Sequence, residues 1–199
     1  ADLREGLVKT LQMAQGRILG FVRRRAQELS LRLPIICMEP GRSIVADAGM
    51  TLYTVGTLKK IPGYKNYVSV DGGMTDNIRH ALYGAPYTIL PALSMRAKRD
   101  MVCSVVGRCC ESGDIVCADV DLPAAKEGDI LAVLSTGAYN YSMASNYNRN
   151  AVPPVVLVKN GKADYIVKPQ SYEDIVRNDV IPEIMGVSEE HASDKPIEK

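Results

Sequence analysis

The chain has 199 residues, 46% of them hydrophobic and 24% charged, the profile of a globular protein with apolar material for one or two cores. Its 24 basic and 23 acidic side chains nearly cancel and are interspersed, which argues against a partner such as nucleic acid or an anionic membrane surface. No apolar run is long enough to span a bilayer, and the opening "ADLREGLVKT" lacks the basic-then-apolar order of a secretion signal, so the expected compartment is the cytoplasm.

Leu3, Leu7, Leu11, Ala14, Ile18, Phe21, Val22 and Leu29 recur at spacings of helical period, with Arg and Lys between them, and predict an amphipathic helix over residues 3–29. The chain starts with Ala1, inside that pattern, which suggests a fragment or a processed product. "PIICM", residues 34–38, is a short continuous apolar run of the kind that forms a strand buried on both faces of a parallel sheet, and a helix feeding such a strand is an α/β unit. "EPGRSIVADAG" follows as loop and short helix. In it, Gly41 lets the backbone approach an anion, Arg42 offers a planar fork for carboxylate or phosphate, and Ser43 is placed to cap the helix; a turn with a surface Arg–Glu pair explains the residues equally well.

After Gly49 the texture turns to strands. "MTLYTVGTLKKI", "YKNYVSVD", "YTIL", "MVCSVVG", "DIVCADVDL", "DILAVLS" and "PPVVLV" are separated by Gly, Pro, Asn and Asp at the short intervals of a β-sandwich or barrel. Between them, "DGGMTDNIRHALYG" pairs glycines at a turn with a helical pattern that sets Arg79 and Tyr83 four residues apart; packing plus an exposed Arg accounts for it, and His80 reads as a surface or packing residue.

The five cysteines are odd in number, none forms a C-x-x-C pair, and only His80 and His191 could join them, so neither a disulfide framework nor a metal site is expected. Cys37, Cys103 and Cys117 lie in apolar runs and read as structural. In "GRCCESGD", Cys109 and Cys110 precede Glu111 at a turn made by Gly113 and Asp114. A thiol proton donor beside a carboxylate that reads an ammonium group is one reading; a pair of small buried hydrophobes is the other. "STGAYNYSMASNYN" sets Tyr139, Tyr141 and Tyr147 among small polar residues, with Gly137 and Ala138 clearing space beside Tyr139, and Met143 reads as packing. "VVLVKNGKADYIV" is a hairpin with Asn160 and Gly161 at a type I′ turn, "SYEDIVRNDVI" a short helix, and "SEEHASDKPIEK" a solvated tail. The expected division is residues 1–48, 49–185 and 186–199: an α/β segment, a β domain and a polar tail. A complete eight-stranded α/β barrel takes about 250 residues, so if the opening belongs to such a barrel, most of it is missing.

Taken in order, "EPGRSIVADAG", "VDGGMTDNIRHALYG", "VVGRCCESGD", "GDILAVLSTGAYNYSMASNYN" and "YEDIV" resemble the C-terminal half of the diaminopimelate decarboxylase family over nearly everything from Pro34 to Pro182. The resemblance implies a mainly β fold, with a sandwich or barrel-like domain preceded by the last helix–strand unit of an α/β (TIM-type) barrel that binds pyridoxal 5'-phosphate. It implies that Glu39, Pro40, Gly41 and Arg42 hold the cofactor, Arg42 also binding a substrate carboxylate. Arg79 and Tyr83 would bind the distal end of the substrate, Cys110 would be the proton donor, Glu111 a substrate reader, and Tyr139 a contact to cofactor and substrate. The cysteine and acid would come from the neighbouring subunit, so that the active site is completed in a homodimer.

The implied reaction converts meso-diaminopimelate to L-lysine and carbon dioxide. No lysine here falls in a motif matching the family's Schiff-base lysine, so the chain alone is expected to be inactive. "GRCCESGD" departs from the family with Arg108 and Cys109 where Pro and an apolar residue are common, which makes Cys109 a second, structural thiol. Two alternatives are a decarboxylase of the same fold acting on ornithine, arginine or carboxynorspermidine, against which "CESGD" and "SMASNYN" argue, and a non-catalytic β module that pairs with a partner chain.

Overall fold

A computed structural model describes residues 3–37 and 39–185. The tail expected from residue 186, Met38 of the apolar run and His191 lie outside the described residues. α1 (Leu3–Glu28) follows the helical pattern. Of its apolar residues, Phe21 is 59% exposed, Ile18 and Leu19 are also exposed, and Ala26 is buried.

Residues 34–37 differ from expectation. They form no strand among the described residues, and Ile35 is 94% exposed. A parallel strand exists only through pairing, and no described strand lies beside this run. Cys37 is exposed with it, contrary to its structural reading. The short helix follows as α2 (Arg42–Val45), continued by a 3-10 turn over Ala46–Ala48. Ser43 sits inside α2 rather than before it; Gly41 holds the N-cap position, so the cap expected of Ser43 is not made.

The β texture is borne out. β1 (Met50–Ile61), β2 (Lys65–Val70), β3 (Ile89–Pro91), β4 (Met101–Val106), β5 (Ile115–Leu122) and β6 (Ile130–Leu134) form a six-stranded sheet in the order β3-β6-β1-β2-β4-β5. All pairings are antiparallel except β2 with β4, which run parallel in the register Tyr67–Ser104, Val68–Val105 and Ser69–Val106. The sheet curls until its edge strands meet: the Cys117 thiol on β5 donates to the Tyr87 carbonyl just before β3, at 3.4 Å. Inside, alternate residues of every strand converge on one core, in which Ile89, Leu122 and Leu131 are the largest fully buried side chains. Cys103 is among them, its thiol pushed up to about 11 by burial, as befits an inert packing residue.

β7 (Val155–Lys159) and β8 (Lys162–Val167) form a separate hairpin, joined through Asn160 and Gly161 at φ +52° and +74°, the left-handed conformation the sequence anticipates. α3 (Arg79–Tyr83) lies on the crossover from β2 to β3, and α4 (Tyr172–Val176) follows the hairpin. α4 begins at a capping box in which Ser171 Oγ accepts from Asp174 N and Asp174 Oδ2 accepts from Ser171 N.

Candidate active site

Two groups of side chains stand out, joined by the segment after β6. The first gathers around Tyr139. This residue adopts φ +72°, a sparsely populated region for a bulky side chain that recurs where surroundings impose a geometry. The segment that leads into it is tied down. Gly137 N donates to Ala46 O at 3.0 Å and Ser135 Oγ to Asp47 Oδ1 at 2.6 Å, so the α2 segment and the segment after β6 are stitched together.

Three residues distant in sequence meet there. The Arg79 guanidinium lies 4.8 Å from the centre of the Tyr139 ring and 5.1 Å from that of Tyr83, a cation between two aromatic faces, and its Nη1 reaches Met143 Sδ at 3.8 Å. Arg42 stands 5.4 Å from the centre of the Tyr87 ring and donates from Nη2 to Ser135 O at 3.3 Å, while the Tyr87 hydroxyl donates to Asn140 Oδ1 at 3.4 Å. Gly41 completes the group: a Cβ there would lie 2.5 Å from the Tyr139 hydroxyl oxygen, so a larger residue would have to push that half-exposed tyrosine aside.

The second group is the loop between β4 and β5, residues 107–114. Its anchor is Asp114, buried to 4% exposure, whose carboxylate accepts from Met74 N at 2.6 Å and Cys109 N at 2.7 Å. The carboxylate fills the space beside Gly107, where a Cβ would fall 2.2 Å from Oδ2. Cys110 N donates to Asn148 Oδ1 at 2.9 Å, and Asn150 Nδ2 reaches Cys109 Sγ at 3.7 Å. Asn148 is presented by a turn with φ +53° at Asn148 and +57° at Arg149, and the turn is bound to the body by Asn146 Nδ2 on Gln170 Oε1 at 2.6 Å. Cys110 and Glu111 are exposed, with Glu111 Oε1 accepting from Gly113 N at 3.1 Å. Cys109 is half-buried; desolvation, with the Asp114 carboxylate next to it, raises its thiol above the ordinary value.

Of the residues singled out in the sequence, Gly41, Arg42, Arg79, Tyr83 and Tyr139 are thus brought together. Cys110 and Glu111 form their own exposed ledge, and no described hydrogen bond joins them to the first group. Glu39 and Pro40 are exposed in the segment before α2. Sequence reasoning missed Tyr87, Asn140, Asp114, Asn148 and Asn150. For Asp114 a signal was present, since an acid spaced between glycines that bracket strand ends can need the room they leave; the others are placed by tertiary contacts with no local pattern.

The Tyr139 group suits an anionic, planar ligand such as pyridoxal phosphate. It combines a guanidinium, a phenol and a glycine backbone beneath that phenol, and Arg79 Nε is buried without a hydrogen-bond partner.

Comparison with known proteins bears on both groups. Residues 30–137 match the family described as "Pyridoxal-dependent decarboxylase, C-terminal sheet domain". The chain is 53% identical over 164 residues to a diaminopimelate decarboxylase of Bacillus subtilis (strain 168), covering 82% of this chain and 37% of that protein. It is 49% identical over 163 residues to one of Staphylococcus aureus (strain COL), covering 81% and 38%. Among solved structures, the diaminopimelate decarboxylase of M. jannaschii in co-complex with L-lysine superposes with TM-score 0.68 at 34% identity, over 81% of this chain and 36% of that one. The chain therefore spans somewhat more than a third of the length of the curated relatives it matches.

Proposed function

Because the chain belongs to the pyridoxal-dependent decarboxylases through their C-terminal sheet domain, we propose that it is the C-terminal portion of an enzyme that converts meso-diaminopimelate to L-lysine and carbon dioxide. The observation that supports this reading is the cluster at Tyr139, where Gly41 lies beneath its hydroxyl, Arg79 lies over its ring and the neighbouring Arg42 donates to Ser135 O. The relatives named as diaminopimelate decarboxylases support the choice of substrate.

Pyridoxal phosphate supplies an electron sink for the pair left behind when the carboxylate departs as carbon dioxide. The residues of this chain divide the remaining work. Glu39 to Arg42 and the Tyr139 hydroxyl hold the cofactor, and Arg42 also takes a substrate carboxylate, by the charge-assisted bonds a guanidinium makes best. Arg79, stiffened between Tyr83 and Tyr139, binds the carboxylate at the distal end, and Glu111 takes the distal ammonium. Cys110 Sγ delivers the proton that replaces the lost carboxylate. A substrate with an amino acid at each end needs readers of both signs, and this set contains them. As the family resemblance implies, Cys110 and Glu111 serve the site of a second subunit in a cytoplasmic homodimer, and their exposed position apart from the Tyr139 group leaves them free to do so.

Residues 1–48 belong, on this reading, to the barrel that binds the cofactor, which accounts for the exposure of Phe21 and Ile35. The lysine that bonds the cofactor is supplied by that barrel, and the 199 residues alone turn nothing over. The test joins this chain to the barrel portion of the Bacillus subtilis relative and measures carbon dioxide from meso-diaminopimelate and from ornithine. The expected result is lysine from the first and far less product from the second. A preference for ornithine, or bound cofactor with no turnover, overturns the proposal.

A further inference from the structure

Resting on the proton-donor role proposed for Cys110, we infer that Asn148 is the residue that positions it: the Asn148 carboxamide oxygen fixes the main-chain turn from which the thiol is presented to the reacting carbon. Cys110 is the middle residue of a tight turn, closed by Glu111 N on Cys109 O at 2.8 Å. That single bond sets the shape of the turn but not its placement, which is fixed from outside. Asp114 Oδ2 accepts from Cys109 N at 2.7 Å, and Asn148 Oδ1 accepts from Cys110 N at 2.9 Å. Of the two, only Asn148 acts on Cys110 itself. With consecutive amides held, the peptide plane from which the Cys110 Cα–Cβ bond departs takes one orientation. A misplacement of about 1 Å at a reacting group can cost about 100-fold in rate, so the acceptor on this amide matters to turnover without touching cofactor or substrate.

The turn that carries Asn148 is built as a rigid mount. Asn148 stands at φ +53° and ψ +25°, and Arg149 follows at φ +57°. Two successive left-handed residues, neither of them glycine, persist only where their surroundings enforce the conformation. Here the enforcement is visible on both flanks. Asn146 and Gln170 exchange side-chain bonds, Nδ2 to Oε1 at 2.6 Å and Nε2 to Oδ1 at 3.3 Å, and Asn146 Nδ2 also donates to Asn150 O at 2.8 Å. Gln170 Oε1 accepts in addition from Val152 N at 2.9 Å, and Ser145 N donates to Thr75 O at 2.8 Å. Asparagine suits the position twice over, since it tolerates the left-handed region and its amide oxygen is free to accept from another loop.

The step that depends on this placement is proton delivery. The Cys110 S–H bond breaks as a C–H bond forms with the electron pair left by the departing carboxylate; the sulfur remains as thiolate, and solvent returns its proton.

The test uses the chain joined to the N-terminal portion of the Bacillus subtilis relative. Asn148→Gly keeps the left-handed backbone and removes the acceptor, whereas Asn148→Asp keeps both. Asn148→Gly should lower kcat about tenfold with KM within about twofold of wild type, and Asn148→Asp should recover most of that loss. Turnover in deuterium oxide adds a readout that general loosening of the fold does not move. A thiol held in one place delivers deuterium to one face of the carbon that lost its carboxylate; in Asn148→Gly solvent competes with the misplaced thiol, and both faces should be labelled. Cofactor absorbance equal to wild type checks that each variant has folded. Wild-type kcat, one-faced labelling or lost cofactor in Asn148→Gly, or an Asn148→Asp as slow as Asn148→Gly, overturns the positioning role even while Cys110→Ala is slow. Wild-type kcat and one-faced labelling in Cys110→Ala overturn the donor assignment, and the positioning role with it.

Discussion

Asp114→Asn tests whether one buried carboxylate holds the thiol loop in place. The carboxylate accepts two main-chain N–H groups, from Met74 and Cys109, at 2.6 and 2.7 Å and at 4% exposure. An amide keeps one acceptor and turns its NH2 toward the other donor, so one charge-assisted bond is lost and a buried N–H is left unmet. A bond to a charged group contributes about 1.5–3 kcal/mol and an unsatisfied buried donor costs about 1–3 kcal/mol; the two overlap, giving a loss of about 3 kcal/mol. With a urea slope of about 2 kcal/mol per molar, the midpoint should fall by about 1.5 M. Urea unfolding of the 199-residue chain, followed by circular dichroism, measures it. Gly107→Ala presses on the same carboxylate from the other side, with its Cβ 2.2 Å from Oδ2, so the double variant should lose less than the sum of the two. A midpoint shift under about 0.3 M at unchanged slope, or strict additivity, would refute the anchor.

Further expectations concern the core and the site. Burial holds the Asp76 carboxyl above its ordinary 3.8, outweighing the hydrogen bonds from Tyr53, Gly73 and Thr75 that pull it down. The folded chain then binds this proton more tightly than the unfolded one. Its contribution favours folding below 3.8 and is lost as pH rises through the folded-state value, so the stability gap between wild type and Asp76→Asn should narrow or reverse over that window in urea titrations. Tyr53→Phe removes the hydroxyl that donates to Asp76 and should cost about 1–3 kcal/mol in the same assay. In the chain joined to the N-terminal portion of the Bacillus subtilis relative, Cys110→Ala should lower kcat by about 100-fold or more at little change in KM, while Cys109→Ala leaves both nearly unchanged; equal effects in steady-state kinetics would count against the proposed assignment. Gly41→Ala places a Cβ 2.5 Å from the Tyr139 hydroxyl oxygen; because Tyr139 is 43% exposed and can swing away, cofactor affinity should fall roughly tenfold, about 1.4 kcal/mol, in a spectroscopic titration.

What the sequence made legible and what it concealed divide along a physical line. Each strand was bounded by Gly, Pro, Asn or Asp, which punctuate the chain by local conformational preference, and β1 spans the same residues, Met50–Ile61, that the sequence marks as a strand. The Asn160–Gly161 turn was legible for the same reason. Pairing was not: that β2 and β4 run parallel while every other pair in that sheet is antiparallel depends on where the crossover lands. Residues 34–37 mislead because an apolar run specifies a strand only in company. Within the site, Arg42, Arg79 and Tyr139 were found through motif resemblance, whereas Tyr87 and Asn140 are recruited by packing across the closed sheet and carry no spacing of their own.

The parallel pair has a kinetic consequence. Antiparallel neighbours can zip from a tight turn, but β2 and β4 register only after the connection between them, residues 71–100, has been drawn across the sheet, a closure whose entropy is spent before any contact repays it. Arg79, Tyr83 and Tyr87 ride on that connection. Sheet closure and assembly of the group around Tyr139 should therefore fall together late in folding, and a substitution that loosens the group should slow the final folding phase.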